Sequence, residues 1–191
     1  MKALALTVCL LAPLFGAPPA EAPVAEAQRI HIMEKEDVVG LYVPAGGLVM
    51  MFQKQGFARK EPKGGGGLAN PRYFYFEKDK GAVILSGWFE PASRFKGAKE
   101  EWEAIVAQWR GKPELEAHEA TPLSVSKWQG MAYQTRHPGG VRVHIKAHWV
   151  EAGTWIDLHL SAAASEGAEK AEAALKGLLK SIGVKAFDPK R

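Results

Sequence analysis

The chain has 191 residues, a formal net charge of +4 and a single cysteine, Cys9. Its charges are scattered without a run of five or more like signs, which argues against a nucleic-acid-binding protein. Because Cys9 lies in the N-terminal apolar run, the rest of the chain can form no disulfide, thiolate metal site or cysteine nucleophile.

The first 27 residues have the layout of a secretory leader. Lys2 provides a positive start, residues 3–15 are almost wholly apolar, and Ala25-Glu26-Ala27 offers small residues where an export peptidase cleaves. The apolar run is too short for a permanent transmembrane helix, and no later stretch approaches that length. We therefore expect a signal peptide over 1–27, export to the bacterial periplasm or beyond, and a soluble mature chain.

The first half of the mature chain is rich in strand patterns. Residues 28–37 are polar and predict a lead-in segment, and a single domain is expected over 38–191. Two β-rich runs at 38–43 and 48–53 flank a Pro-Ala-Gly-Gly turn. The glycine run 64–67 follows a lysine but lacks the Gly-Lys-Ser/Thr ending of a phosphate loop, so we interpret it as a loop between strands.

A hairpin and a helix are predicted next. Residues 72–78 and 82–90 are aromatic and β-branched, and they flank an Asp-Lys-Gly turn. Apolar side chains at helical spacing predict an amphipathic helix over 98–110 that lays Trp102 and Trp109 on the core.

The second half predicts a four-strand meander and a closing helix. Strands are expected at 123–128, 131–136, 141–150 and 154–161, with the first turn at Gln129-Gly130. A helix from about Ser165 to Ile182 follows. Strands, helix, strands and helix in this order predict an α+β domain, in which two main helices flank an antiparallel sheet.

Strict alternation in the last two strands predicts their register. If Ala152-Gly153 forms a two-residue turn, Trp149 pairs with Ile156 and His148 pairs with Asp157. In this register the apolar side chains share one face of the sheet and the polar side chains share the other. Pairing with the preceding strand adds Tyr133 and Thr135 to the polar side. We name this the polar face and expect it to carry Tyr133, Thr135, Arg142, His144, Lys146, His148, Trp155, Asp157 and His159.

This composition leaves several chemistries open. Three histidines and a carboxylate could hold zinc, and His148 with Asp157 could act as a base and its orienting group. However, His144 and His148 lie about 13 Å apart along one strand, at ~3.3 Å per residue, and Lys146 between them repels a cation. We therefore assign no metal ligand, catalytic residue or cofactor. A binding face remains, carried by Tyr133, Arg142, His144, Lys146, His148, Trp155, Asp157 and His159.

Four segments together carry a family resemblance. They are Ser86-Gly87-Trp88 with the helix after it, Gly130-Met131-Ala132-Tyr133, Trp155-Ile156-Asp157-Leu158-His159-Leu160 and the helix end Leu178-Leu179-Lys180-Ser181-Ile182. With these segments the chain resembles the PsbP-like, Mog-type group of small α+β domains. The resemblance covers roughly 38 to 184 and is one of topology more than of motifs. It implies an antiparallel sheet flanked by helices and an accessory or binding role, and it transfers no functional residue.

The leading hypothesis is an exported, non-enzymatic domain that binds an envelope protein or an anionic envelope polymer through the polar face. The alternative is a metal-dependent or acid–base hydrolase that uses His148, Asp157 and His159. A third interpretation is glycan binding by exposed aromatic side chains such as Trp155 and Tyr133.

Overall fold

The structure is a computed structural model that describes residues 29–44, 46–60 and 71–187. The predicted leader at 1–27 and the glycine run at 64–67 lie outside these residues. No helix in the described ranges is long and apolar enough to cross a membrane.

The described chain forms strands and two α-helices, joined by turns and short 3₁₀ segments. The helices are α1 (Ala98–Trp109) and α2 (Ala168–Ser181). The strands are β1 (His31–Glu34), β2 (Val38–Tyr42), β3 (Leu48–Gln53), β4 (Ala58–Arg59), β5 (Tyr73–Lys78), β6 (Val83–Pro91), β7 (His118–Val125), β8 (Trp128–His137), β9 (Gly140–Glu151), β10 (Thr154–Ala163) and β11 (Gly183–Ala186).

The strands form two antiparallel sheets. The smaller sheet has the order β1-β2-β3-β11, and the larger one has the order β4-β5-β6-β10-β9-β8-β7. The consecutive neighbours β7, β8, β9 and β10 are the predicted meander, and β5 with β6 is the predicted hairpin. The α+β class predicted from the sequence is therefore confirmed.

The predicted register of the last two strands is also confirmed. Trp149 lies opposite Ile156 and His148 lies opposite Asp157 in the β9–β10 ladder. On the far side of β10, the long β6 strand places Trp88 opposite Asp157. Because side chains alternate along a strand, this register sends one apolar set and one polar set to opposite faces of the large sheet.

The apolar face of the large sheet packs into one core with the small sheet and α2. Phe52 of β3 meets Phe76 of β5 edge to face, with ring centroids 5.2 Å apart. From α2, Leu175 and Leu179 are fully buried in the same core. The largest fully buried side chains are Trp128, Phe52, Phe74, Phe76 and Phe89.

Two local predictions differ from the structure. His31–Glu34, in the predicted lead-in, forms strand β1 and pairs with β2. The first meander turn lies at Ser126-Lys127, because Ser126 adopts a positive φ of 56° and the buried Trp128 already begins β8. Gln129-Gly130 is therefore strand, not turn.

The prediction for the indoles of α1 was also wrong. Trp102 and Trp109 do not join the apolar core, and both rings lie against Tyr133 on the polar side of the sheet. The helix follows a short segment that leaves β6 on that side, so its apolar stripe meets the polar face. No described side chain of α1 is fully buried.

Replacing Gly130 by alanine tests the close approach of β8 and β9. A Cβ at this position collides with the backbone carbonyl of Lys146, which cannot move without breaking the ladder. We expect a loss of about 2 kcal/mol or more in the free energy of unfolding, measured by urea titration. The control is Gly139→Ala, because no atom lies within 4 Å of a Cβ built there. Equal stability of the two variants would contradict this packing.

Candidate functional site

Strand alternation places the predicted polar residues on one face, over the middle of the large sheet. In the register observed, Tyr133 of β8 lies opposite His144 of β9, and Lys146 of β9 lies opposite His159 of β10. All of the predicted side chains are thus neighbours in the sheet, and they divide into three connected groups. The groups are centred on Asp157, His144 and Arg142.

The first group surrounds the Asp157 carboxylate. The Lys146 ammonium lies 2.6 Å from Oδ1 of Asp157, and Nδ1 of His148 lies 3.3 Å from the same oxygen. Burial by itself raises the pKa of Asp157, but the close contacts of its carboxylate with His148 and with the charge of Lys146 outweigh it, so the pKa lies below its usual value. Asp157 is therefore a charged carboxylate at neutral pH.

The imidazole of His148 has two competing partners at one atom. The indole Nε1 of Trp155 donates to Nδ1 of His148 over 3.2 Å, which requires this nitrogen to be unprotonated. Donation from the same nitrogen to Asp157 requires a proton on it. Nδ1 of His148 can therefore accept a hydrogen bond from Trp155 or donate one to Asp157, but it cannot do both at once.

The second group is a hydrogen-bonded chain of imidazoles. Nε2 of His144 lies 2.8 Å from the Thr135 hydroxyl, which is also 2.9 Å from Nε2 of the exposed His137. At its other nitrogen, His144 meets Nε2 of His159 at 3.0 Å. Each neutral imidazole has one N–H donor and one nitrogen that accepts. Every contact along the chain can therefore be a hydrogen bond if all of the donors point in one direction.

Burial keeps these imidazoles neutral. It is the main cause that lowers the pKa of His144 to about 2 and that of His159 to about 3. The neighbouring imidazole of His159 lowers the pKa of His144 further, and the ammonium of Lys146 acts in the same way on His159. The rings also stack: Tyr133, His144 and His159 lie nearly parallel, with centroids 4.7 and 5.3 Å apart.

The third group holds Arg142 at the end of the face. Its guanidinium donates to the Ser161 hydroxyl over 2.9 Å and to the Gly81 carbonyl over 2.7 Å. Both partners belong to the fold, so Arg142 ties β9 to β10 and to the turn between β5 and β6.

Aromatic side chains cover much of the polar face. Phe95, just after the 3₁₀ turn at Ala92–Arg94, lies 5.3 Å from the rings of both His148 and Trp155. At the β8 side, Trp102 of α1 lies over Tyr133, with centroids 5.0 Å apart. As a result, His148 is only 3% exposed and His144 only 8%. The central histidines thus belong to a covered network.

One part of the face stays open, and we call it the recess. It is a concavity of about 340 Å³ between β6, β10, the 3₁₀ turn and the first turns of α1. Its lining is formed by Trp88, Glu90, Arg94, Glu101, Trp155 and Asp157. Of the eight predicted site residues, Trp155 and Asp157 line this opening.

The sequence analysis missed four of the recess residues. Ser86, Trp88 and Glu90 alternate with apolar neighbours along β6, which marks a polar face on that strand as well. This pattern becomes informative only once β6 is known to pair with β10. Arg94 and Glu101 come from the connection and from α1, whose placement over the sheet has no local pattern in the sequence.

The geometry bears on the chemistries that the sequence left open. In the described residues, no group of three or more His, Cys, Asp or Glu side chains is arranged to hold a metal ion. His148 lies beneath Phe95, so its imidazole does not face the recess as a general base would. Tyr133 and Trp155 are 5% and 6% exposed, so they do not form the exposed aromatic platform expected for glycan binding.

No family model and no curated protein matches the sequence. Among solved structures, the chain is similar to cyanobacterial PsbP (CyanoP) from Synechocystis sp. PCC 6803, with 12% identity and a TM-score of 0.49 over 88% of this chain and all of that one. It is also similar to a protein from Bacteroides thetaiotaomicron VPI-5482, with 9% identity and a TM-score of 0.39 over 75% of this chain and 46% of that one. The first similarity agrees with the PsbP-like resemblance of the sequence, and it concerns the fold alone.

The neutral histidines predict acid sensitivity. Because the pKa of His144 and of His159 is lower in the folded state than the usual 6.5, the unfolded chain binds protons first as the pH falls below 6.5. Their contribution is complete above pH 6.5 and is lost as the pH falls towards about 3. Each buried histidine adds a slope of up to about 1.4 kcal/mol per pH unit.

Urea unfolding at a series of pH values between 7.5 and 4.5, roughly the window below the usual histidine pKa, measures this slope. We expect His144→Gln to reduce the slope, because it removes one buried imidazole whose pKa is lowered in the folded state. A stability that does not change over this range would contradict the buried neutral network.

Proposed function

We propose that this protein is an exported, non-catalytic accessory domain that binds an envelope protein through the recess. The observation that supports this best is the division of the polar face into a covered part and an open part. The histidines are engaged with each other and with the fold, whereas the recess is a concavity lined by charged and aromatic side chains. A preformed concavity with a few convergent polar groups is the usual form of a binding site.

The charges of the recess favour a cationic group on the partner. Its lining has three carboxylates, Glu90, Glu101 and Asp157, against one guanidinium, Arg94. Glu90 is paired with Arg94 at 2.8 Å and with Arg72 at 3.8 Å, and Asp157 is paired with Lys146. Within the described part of the chain, Glu101 has no such ion pair, so its carboxylate is available to an incoming cation.

The aromatic side chains of the recess favour the same kind of group. The ammonium of Lys146 already lies 5.4 Å from the centre of the Trp88 ring while it pairs with Asp157. This is the geometry in which an indole and a carboxylate bind a cation together. A lysine or arginine side chain of a partner would find a carboxylate in Glu101 and an indole in Trp88, which both line the recess.

The connection before α1 supplies a side chain that a partner can displace. Arg94 is 65% exposed, although its guanidinium pairs with Glu90. Exposed ion pairs contribute little to stability, so exchange of this guanidinium for one from a partner costs little. The carboxylate of Glu101, which has no ion pair among the described residues, disfavours an anionic envelope polymer at this site.

Replacing Glu101 by glutamine tests the recess. The probe is pentalysine, and its binding is followed by calorimetry and by the fluorescence of Trp88 and Trp155. We expect saturable binding that weakens with added salt. In Glu101→Gln we expect the dissociation constant to rise by about 3- to 10-fold, the size of one partly exposed charge contact.

The matched control is Glu103→Gln on the same helix. Glu103 is 64% exposed, pairs with Lys99 and does not line the recess. We expect this variant to bind pentalysine like the unmodified protein. Equal weakening by both variants, or no binding of pentalysine, would overturn the assignment of the recess to a basic side chain.

The proposed export is tested at the N-terminus. Protein recovered from the envelope fraction of its native host is expected to begin at Gln28, because cleavage after Ala27 is the favoured site. Edman sequencing or intact mass measurement checks this directly. Recovery of the chain from the cytosol with residues 1–27 still attached would contradict export.

A further inference from the structure

A second cavity lies along α1 and has a different lining from the recess. It has a volume of about 630 Å³ and is formed by the C-terminal half of α1, the segment that leaves the helix, and the start of β7. We call it the helix groove. A cavity of this size is within the range of small-ligand sites, roughly 300 to 1,000 Å³.

The inner wall of the helix groove is apolar and incompletely covered. Trp102 and Trp109 line it, with their rings edge to face and their centroids 5.9 Å apart. Val106, one helical turn from each, lines it too and is 43% exposed. Pro113 adds a rigid apolar surface opposite the helix. A ligand in this position would therefore remove apolar surface from water.

Two cations stand where the helix ends. Arg110 and Lys112 both line the groove, and among the described residues neither has an ion pair. By contrast, Lys99 at the start of the same helix is paired with Glu103. Glu116 also lines the groove, so among its described side chains two cations face one carboxylate. The charge of the described lining beside the apolar wall is therefore positive.

We propose that the helix groove binds an anionic amphiphile with a single acyl chain. The chain lies against Trp102, Val106 and Trp109, and the acidic head group lies between Arg110 and Lys112. The groove is separate from the recess, because the two share no lining residue. This inference therefore goes beyond the partner binding proposed above and does not depend on it.

Dodecanoate, used below its critical micelle concentration, is the probe. We expect saturable binding with one site per chain, followed by calorimetry and by tryptophan fluorescence. Affinity should rise by about threefold for each methylene added between decanoate and tetradecanoate. Dodecyltrimethylammonium has the same chain and the opposite charge, and it should bind at least tenfold more weakly.

Two variants of opposite effect identify the head-group site. Arg110→Gln combined with Lys112→Gln should weaken dodecanoate binding by about tenfold, because both cations are lost. Glu116→Gln should strengthen it, because the opposing carboxylate is removed. The matched control, Lys96→Gln with Lys180→Gln, removes two exposed cations outside the groove and should leave the affinity unchanged.

Three results would overturn the proposal. The first is the absence of saturable dodecanoate binding. The second is an equal loss of dodecanoate affinity in the control and in the Arg110/Lys112 variant. The third is an equal affinity for dodecanoate and for the uncharged dodecyl maltoside. The last result would mean that the groove accepts acyl chains without selecting an acidic head group. Urea unfolding of each variant establishes that the fold is retained, so that a loss of binding is attributed to the groove.

Discussion

The pairing of β9 with β10 in one register is the constraint on which the rest of the structure depends. It places Trp149 against Ile156 on the core side and His148 against Asp157 on the other. A slip of one residue would reverse the faces of a strand, burying lysine and histidine in the core and exposing the aliphatic side chains. The hydrophobic core and the polar network are therefore two results of one alignment.

The polar network is stable because its members satisfy each other and because aromatic rings exclude water from it. Unpaired polar groups at this depth would be costly, and the chain of Thr135, His144 and His159 avoids that cost by hydrogen bonding along its length. Covering the network leaves less of the sheet for binding. Open concave surface then lies around α1, which separates the acidic recess from the groove lined by Arg110 and Lys112.

Much of the fold could be predicted from the sequence because its strongest patterns are local. Alternation in β9 and β10 and a two-residue turn determine which side chains meet, and both are visible in a single stretch of chain. The site was predicted less well because it depends on contacts distant in sequence. Pairing of β6 with β10 brings Trp88 to Asp157, and packing of α1 onto β8 covers Tyr133. Helical periodicity identified the apolar stripe of α1 but not the surface that it meets.

Covalent labelling of the histidines by diethyl pyrocarbonate tests most directly whether the polar face is covered. Native protein is labelled briefly at neutral pH, and peptide mass spectrometry gives the rate at each histidine. We expect rapid modification of the exposed His137 and strong protection of His144 and His148, which are 8% and 3% exposed. Similar rates at all three positions would show that the face is open, and would contradict the division into a covered network and an open recess.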